Sequence, residues 1–288
     1  MSQALSAPAA RSAERPGRPG TLRAGWASLP DALHAEWTKV RTVAGPAWLL
    51  AATVVLTAAV SAAATAAVTC PSGSACPVDT TKLSLSGVQF GQAVVAILAV
   101  LAVSGEYSTG MIRTTLTALP RRSTVLAAKA LILAGLVLVA GAIAVAGSLL
   151  AGRLLLPGHG FTVAHGFLPL SLAHGPTLRA AAGSVLYLVL VALLSLGVAT
   201  AVRESAVAIG VVLGLFFLSP ILAGVMSAYP VWYHRIERYA PMNAGLTIQD
   251  TTGLHSLAIS PWGGLGVLAA WTAAALLAGG LVLRLRDA

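Results

Sequence analysis

Six long apolar stretches, each almost free of charged side chains, constrain this chain more than any other feature of its sequence. A helix that crosses the hydrocarbon core of a bilayer needs about 20 apolar residues, because the core is about 30 Å thick and each residue adds 1.5 Å. Helices are favoured because every backbone polar group in the bilayer core must be hydrogen-bonded, and a helix achieves this within a single segment. The stretches that meet this length cover residues 46–69, 86–104, 130–152, 180–202, 205–229 and 262–283.

The composition excludes an ordinary soluble enzyme. Of the 288 residues, 57% are hydrophobic and only 9% are charged, and the mean hydropathy is +0.85. Soluble domains carry roughly 25% charged residues. Two cysteines are too few for a disulfide scaffold, and the net charge of +9 comes mostly from residues beside apolar runs, which indicates a membrane surface rather than nucleic acid. The sequence therefore predicts an all-α integral membrane protein with six transmembrane helices.

The distribution of basic residues predicts which side of the membrane each loop occupies. With the N-terminus inside, 13 of the 18 Lys and Arg residues fall on the inner side. Cytoplasmic loops carry an excess of these residues. Both the N-terminus and the C-terminus are therefore predicted to be cytoplasmic.

The N-terminal region divides into two segments ahead of a transmembrane domain over residues 45–288. Residues 1–27 are rich in Ala, Ser, Pro, Gly and Arg and are predicted to form a disordered cytoplasmic tail. Residues 28–44 are predicted to form an amphipathic interfacial helix, with Ser28 as its N-cap and Asp31 completing a capping box. The apolar stripe of this interfacial helix would contain Leu29, Leu33, Trp37 and Val40. The alternative is a helix that only directs the topology of the chain and has no protein partner.

Two loops on the predicted outer side contain residues that could form a local site. Cys70 and Cys76 face the oxidising side, which favours a disulfide between them. No His or acidic pair stands nearby at ligand spacing, so we expect no metal site there. The spacing of the three histidines does not place them on one helix face, so we interpret them as solvated loop residues: His159, His165 and His174.

The stretch from about residue 229 to 261 combines aromatic, basic and proline residues. Aromatic side chains are typical of a membrane interface. Pro230, Pro241 and Pro261 divide the stretch into short helical pieces. Two interpretations remain open: a pair of half-inserted helices, or a plain interfacial loop.

The inner loop from Glu106 to Lys129 carries the most specific pattern. An acid is followed by Gly110, Thr114 or Thr115, and Leu119, then by Pro120 and by Lys129 at the start of the next span. This order resembles the coupling loop of type-2 ATP-binding-cassette transporter permeases of high-GC bacteria. The segment from Glu36 to Arg41 is similar to their N-terminal interfacial helix.

The resemblance implies a dimer of permease copies, identical or not, driven by ATPase subunits on separate chains. The chain itself has no Walker A loop, because none of its three lysines follows a glycine. No cofactor is expected on this chain, and ATP with Mg²⁺ would bind to the partner ATPase. The residues that the resemblance assigns to docking and coupling are Glu106, Gly110, Arg113, Pro120, Arg121, Glu36, Trp37, Lys39 and Arg41.

We therefore expect a permease subunit of an exporter in a bacterial inner membrane, in contact with membrane lipids and not with nucleic acid. The cargo is expected to be drug-like or lipid-like, and the first or fifth span is the candidate dimer seam. A non-transporting membrane scaffold or immunity protein is the alternative. An intramembrane enzyme is disfavoured, because Ser184 and Ser195 lack a Gly-x-Ser-x-Gly frame and no His-Glu-x-x-His occurs.

Overall fold

The computed structural model describes residues 24–70, 76, 78–108, 122–163, 167 and 169–285 of the chain. Within these residues there is no β-strand, and the backbone forms ten α-helices joined by loops and short 3-10 turns. The helices are α1 Ala24–Thr42, α2 Ala44–Ala67, α3 Thr80–Ser84, α4 Val88–Ser108, α5 Arg122–Leu155, α6 Gly175–Val202, α7 Ser205–Val225, α8 Pro230–Tyr239, α9 Pro241–Leu246 and α10 Pro261–Leu285.

Six of these helices, α2, α4, α5, α6, α7 and α10, are long and apolar enough to cross a membrane. The predicted all-α fold with six spans is confirmed, and the chain is a multi-pass membrane protein. The helices do not end where hydropathy falls. For example, α5 begins at Arg122, eight residues before the predicted start at 130, because a helical backbone continues into the interface.

Helix α1 precedes the spans, as predicted, but the predicted N-cap is wrong. The helix begins at Ala24, so Ser28 lies inside it. Alanine has the highest helix propensity, and Ala24 and Ala27 extend the helix upstream of Ser28. Leu29, Leu33 and Val40 are half-buried against the bundle.

Helices α4 and α6 form the centre of the bundle. Of their most apolar windows, 56% is buried, against 22–33% for the other four spans. Helix α6 packs against α4, α5, α7 and α10, whereas α2 packs against α4 and α5. The outer four spans therefore direct much of their surface toward lipid or another protein.

Helix α2 buries a polar stripe and turns its apolar side chains outward. Its buried residues are spaced by four and are all hydroxyl-bearing: Thr53, Thr57, Ser61 and Thr65. A Cβ added at Gly87 would lie 1.9 Å from the Thr57 carbonyl oxygen, so glycine allows this close approach to α2. The Gly87 backbone N–H also donates to the Ser61 hydroxyl at 3.0 Å.

Helices α8 and α9 form a hairpin that enters the bundle between α7 and α10. The Trp271 indole N–H donates to the Tyr239 carbonyl oxygen at 3.1 Å, and Trp271 lies ten residues into α10. Ten helical residues span about 15 Å, so the hairpin tip lies well along α10. This agrees with the interpretation of half-inserted helices and not with a plain interfacial loop.

A polar contact deep in the bundle holds the hairpin. The buried Gln92 side chain of α4 accepts a hydrogen bond from the Tyr187 hydroxyl of α6 and donates one to the Met242 sulfur of α9, at 3.2 Å. Gly245 allows α9 to approach α6, because a Cβ there would lie 2.6 Å from the Tyr187 ring.

Candidate functional site

Two polar junctions tie peripheral segments to the bundle, one at each end. The Glu36 junction consists of Glu36, Lys39, Lys129 and the Ala102 carbonyl. The Asp79 junction consists of Asp79, Lys82, Arg179, Asp250, Thr251 and Thr252. The first lies at the end where the predicted coupling loop begins, so it is the candidate functional site.

The Glu36 junction begins with an acidic residue on the packed face of α1. Among the side chains of α1 that the structure describes, Ala32 and Glu36 are buried, with 1% and 6% of their surface exposed. They lie four positions apart and therefore on one helical face. Trp37, next along the chain, is 43% exposed. The most buried face of α1 thus contains a carboxylate.

Lys129 of α5 provides the counter-charge. Its ammonium group donates to one Glu36 carboxylate oxygen at 2.7 Å and to the Ala102 carbonyl oxygen of α4 at 3.1 Å. Lys39 donates to the other Glu36 oxygen at 2.8 Å. One ammonium group therefore joins α1, α4 and α5 at a single point.

Charge complementarity keeps Glu36 ionised despite its burial. Burial alone would raise the pKa of this carboxyl. The charges and hydrogen bonds of Lys129 and Lys39 outweigh burial and hold the pKa below its ordinary value of 4.5. A buried pair with both partners present is tolerated, whereas either charge alone would be strongly unfavourable.

The junction lies at the base of the segment that resembles a coupling loop. Helix α4 leads into that segment, and α5 follows it. The backbone of Glu106 lies in the last turn of α4, but its side chain lies outside the described residues. Gly110, Arg113, Pro120 and Arg121 also lie outside them. Of the remaining predicted docking residues, Arg41 is exposed, whereas Glu36 faces the spans.

Sequence reasoning missed the pairing of Glu36 with Lys129. The two residues are 93 positions apart, and no local pattern relates them. A usable signal was the scarcity of charge: a lysine beside an apolar run needs a partner, and the chain has only nine acidic residues.

The Asp79 junction joins three separate segments at the opposite end. Asp79 caps α3 by accepting from the backbone N–H groups of Thr81 and Lys82, both at 3.1 Å. It also accepts from the backbone N–H and the hydroxyl of Thr251, at 2.5 and 2.8 Å. Burial would raise the pKa of Asp79, but these hydrogen bonds hold it below its ordinary value of 3.8.

Asp250 completes this junction through two basic residues. The Lys82 ammonium donates to its carboxylate at 2.7 Å, and the Arg179 guanidinium at the start of α6 donates to its backbone carbonyl. The segment that follows the hairpin is thereby fixed to α3 and α6.

A disulfide between Cys70 and Cys76 closes the loop after α2, as predicted. The Cys70 backbone N–H donates to the His159 carbonyl oxygen at 2.9 Å, beyond the end of α5. This places the disulfide on the same end of the bundle as the Asp79 junction. Within the described segments, no three His, Cys, Asp or Glu residues are grouped closely enough to hold a metal ion.

No protein-family model and no curated protein sequence matches the chain.

Proposed function

We propose that this chain is the permease subunit of an ATP-binding-cassette exporter in a bacterial inner membrane. In this proposal two permease copies, identical or different, pair in the membrane, and separate ATPase subunits supply the energy. Both termini then lie in the cytoplasm with the 106–129 loop and α1. The cargo is drug-like or lipid-like and moves by alternating access.

The Glu36 junction is the observation that supports this proposal. An ATPase that pushed on the 106–129 segment would move the end of α4 and the start of α5. Because Lys129 contacts both Glu36 and the Ala102 carbonyl, α1 would move with them as one unit. In this mechanism Glu36 and Lys129 position the coupling element, while exposed residues such as Arg41 and the loop residues meet the ATPase.

The interior of the spans supports an apolar or amphipathic cargo rather than an ion. The buried polar side chains found among the spans are mostly uncharged, such as Gln92, Ser184 and Thr200. Ion and proton pathways are typically lined by ionisable residues. A pathway that opens between such helices would suit a molecule with a large apolar surface.

The test is to purify the full chain from membranes of its own host in mild detergent and identify what accompanies it. We expect an ATPase subunit whose hydrolysis is stimulated by this chain. Arg113→Ala or Glu106→Ala should abolish the stimulation, whereas Arg153→Ala at the other end of α5 should not.

A single-chain oligomer without an ATPase would contradict the proposal and favour the scaffold or immunity protein. Stimulation and efflux that survive both loop substitutions would contradict the assignment of the coupling residues. Retention of the chain as a monodisperse peak on gel filtration verifies that each variant remains folded.

A further inference from the structure

A continuous apolar trough runs along an exposed side of α7. Two cavities of about 430 and 550 Å³ share Gly214, Leu215, Leu218 and Trp271, and so form one depression. Helices α7 and α10 form its walls, and α8 forms one end. Its lining is almost entirely apolar.

The length of the trough matches one leaflet of a bilayer. Its lining residues on α7 extend from Val211 to Leu222. Eleven helical steps cover about 17 Å, close to half of the 30 Å hydrocarbon core. A Cβ added at Gly214 would meet nothing within 4 Å, so this glycine leaves space that an acyl chain can fill.

Two exposed arginines lie on α8, the helix that closes one end of the trough. Arg235 lines the trough and lies over the Trp232 ring at 5.4 Å, and Arg238, three positions along, lies over the Tyr239 ring at 5.6 Å. Both side chains are exposed. Across the part of the chain that the structure describes, neither arginine forms an ion pair.

Glu237, the acidic residue of α8, forms no ion pair with either arginine among the described residues. Glu237 accepts a hydrogen bond from the Asn243 side chain at 2.6 Å. Because α8 runs from the end of α7 toward the level of Trp271, Arg235 and Arg238 lie within the depth of the spans. A charge exposed at that depth is unfavourable against lipid tails unless it meets an anion or extends to the headgroups.

We propose that this trough binds an anionic phospholipid of the surrounding bilayer. One acyl chain lies against Gly214 and Leu218, and the phosphate lies on Arg235, with Arg238 adding to the positive charge. Arginine is well suited to phosphate, since its planar guanidinium can donate two parallel hydrogen bonds. The proposal stands on the trough and the two arginines and does not depend on transport.

The test is native mass spectrometry of the full chain in detergent, titrated with phosphatidylglycerol or with phosphatidylcholine of the same acyl chains. We expect phosphatidylglycerol to bind about tenfold more tightly, as one charge-assisted contact would give. Arg235→Gln should remove this preference, and Gly214→Leu should weaken binding of both lipids. Two matched controls, Arg153→Gln and Gly135→Leu, lie on α5 away from the trough and should behave as the unaltered chain.

Three results would overturn the proposal. The first is equal binding of the two lipids by the unaltered chain. The second is an effect of Arg153→Gln as large as that of Arg235→Gln. The third is a dimer that Gly214→Leu converts to monomer without changing the number of bound lipids, which would mean that a second copy covers the trough. The two trough variants are independent, so failure of one to fold leaves the other decisive.

Discussion

The Glu36 junction and the Asp79 junction both attach a peripheral segment to the bundle through a half-buried or buried carboxylate, but they satisfy it differently. Glu36 is neutralised by the ammonium groups of Lys129 and Lys39. Asp79 accepts mainly from backbone N–H and hydroxyl groups, among them those of Thr251. The Glu36 carboxylate is held by opposite charges, whereas the Asp79 carboxylate is held by neutral hydrogen-bond donors.

This difference predicts different responses to substitution. Removing one partner of a buried ion pair leaves the other charge uncompensated. Removing an acceptor that serves neutral donors leaves only those donors unsatisfied, which costs less. Loss of one partner is therefore expected to disrupt the Glu36 junction completely, in an all-or-none manner. Substitutions at the Asp79 junction should instead lower its stability in smaller steps. An all-or-none contact at the base of a loop is suited to transmitting motion.

The largest effect is expected from Lys129→Met. This change leaves the Glu36 carboxylate buried without its main counter-charge and should lower the free energy of unfolding by about 3–5 kcal/mol. The measurement is SDS titration of the purified chain in mixed micelles. Lys39→Met, whose side chain is 30% exposed, should cost less than about 1 kcal/mol and serves as the matched control.

A double substitution sharpens the same prediction. Glu36→Leu combined with Lys129→Met removes both charges, so its stability should lie close to that of the unaltered chain. The coupling energy from the double-mutant cycle would then be large, because the double variant loses far less stability than the two single variants together. Additive losses from the two single changes would show that the pair is not energetically coupled.

A smaller effect is expected from Asp79→Ala. The backbone N–H groups of Thr251 and Thr252 lose their acceptor, and the free energy of unfolding should fall by about 1–3 kcal/mol. Asp79→Asn retains one acceptor oxygen and the ability to cap α3, so it should lose less. Lys82→Met is the control: its side chain is 52% exposed, and the loss should stay below about 1 kcal/mol.

The comparison would fail if Asp79→Asn were as damaging as Asp79→Ala. That result would mean that the negative charge of Asp79, rather than its capacity to accept hydrogen bonds, holds the junction. The same titration in mixed micelles separates the two outcomes.

The number and order of the spans could be predicted because hydrophobic length is a local property of the sequence. The disulfide could also be predicted, because Cys70 and Cys76 lie only six residues apart in the sequence. The proline spacing at Pro230 and Pro241 indicated where α8 and α9 begin, but it could not decide whether they enter the bundle. That depends on distant contacts such as Trp271 to Tyr239.

The junctions could not be predicted, because their partners are separated by 93 and 172 residues. The inward face of α2, however, could have been predicted from the sequence. Hydroxyl residues every four positions from Thr53 to Thr65 mark one helical face.

The smallest expected effect is a difference in acid sensitivity between the two ends. Glu36 and Asp79 both have a lowered pKa in the folded chain. Each therefore stabilises the fold fully above its ordinary pKa, and the contribution is lost as the pH falls through the lowered value. The stabilising contribution should begin to be lost below about pH 4.5 for Glu36 and below about pH 3.8 for Asp79.

Hydrogen exchange, followed separately in α1 and at Thr251, should show α1 loosening first as the pH is lowered. In the Glu36→Leu, Lys129→Met double variant, the exchange of α1 should no longer respond to pH through this range. If α1 in that variant still loosened at the same pH, the acid response would have to come from a group other than Glu36.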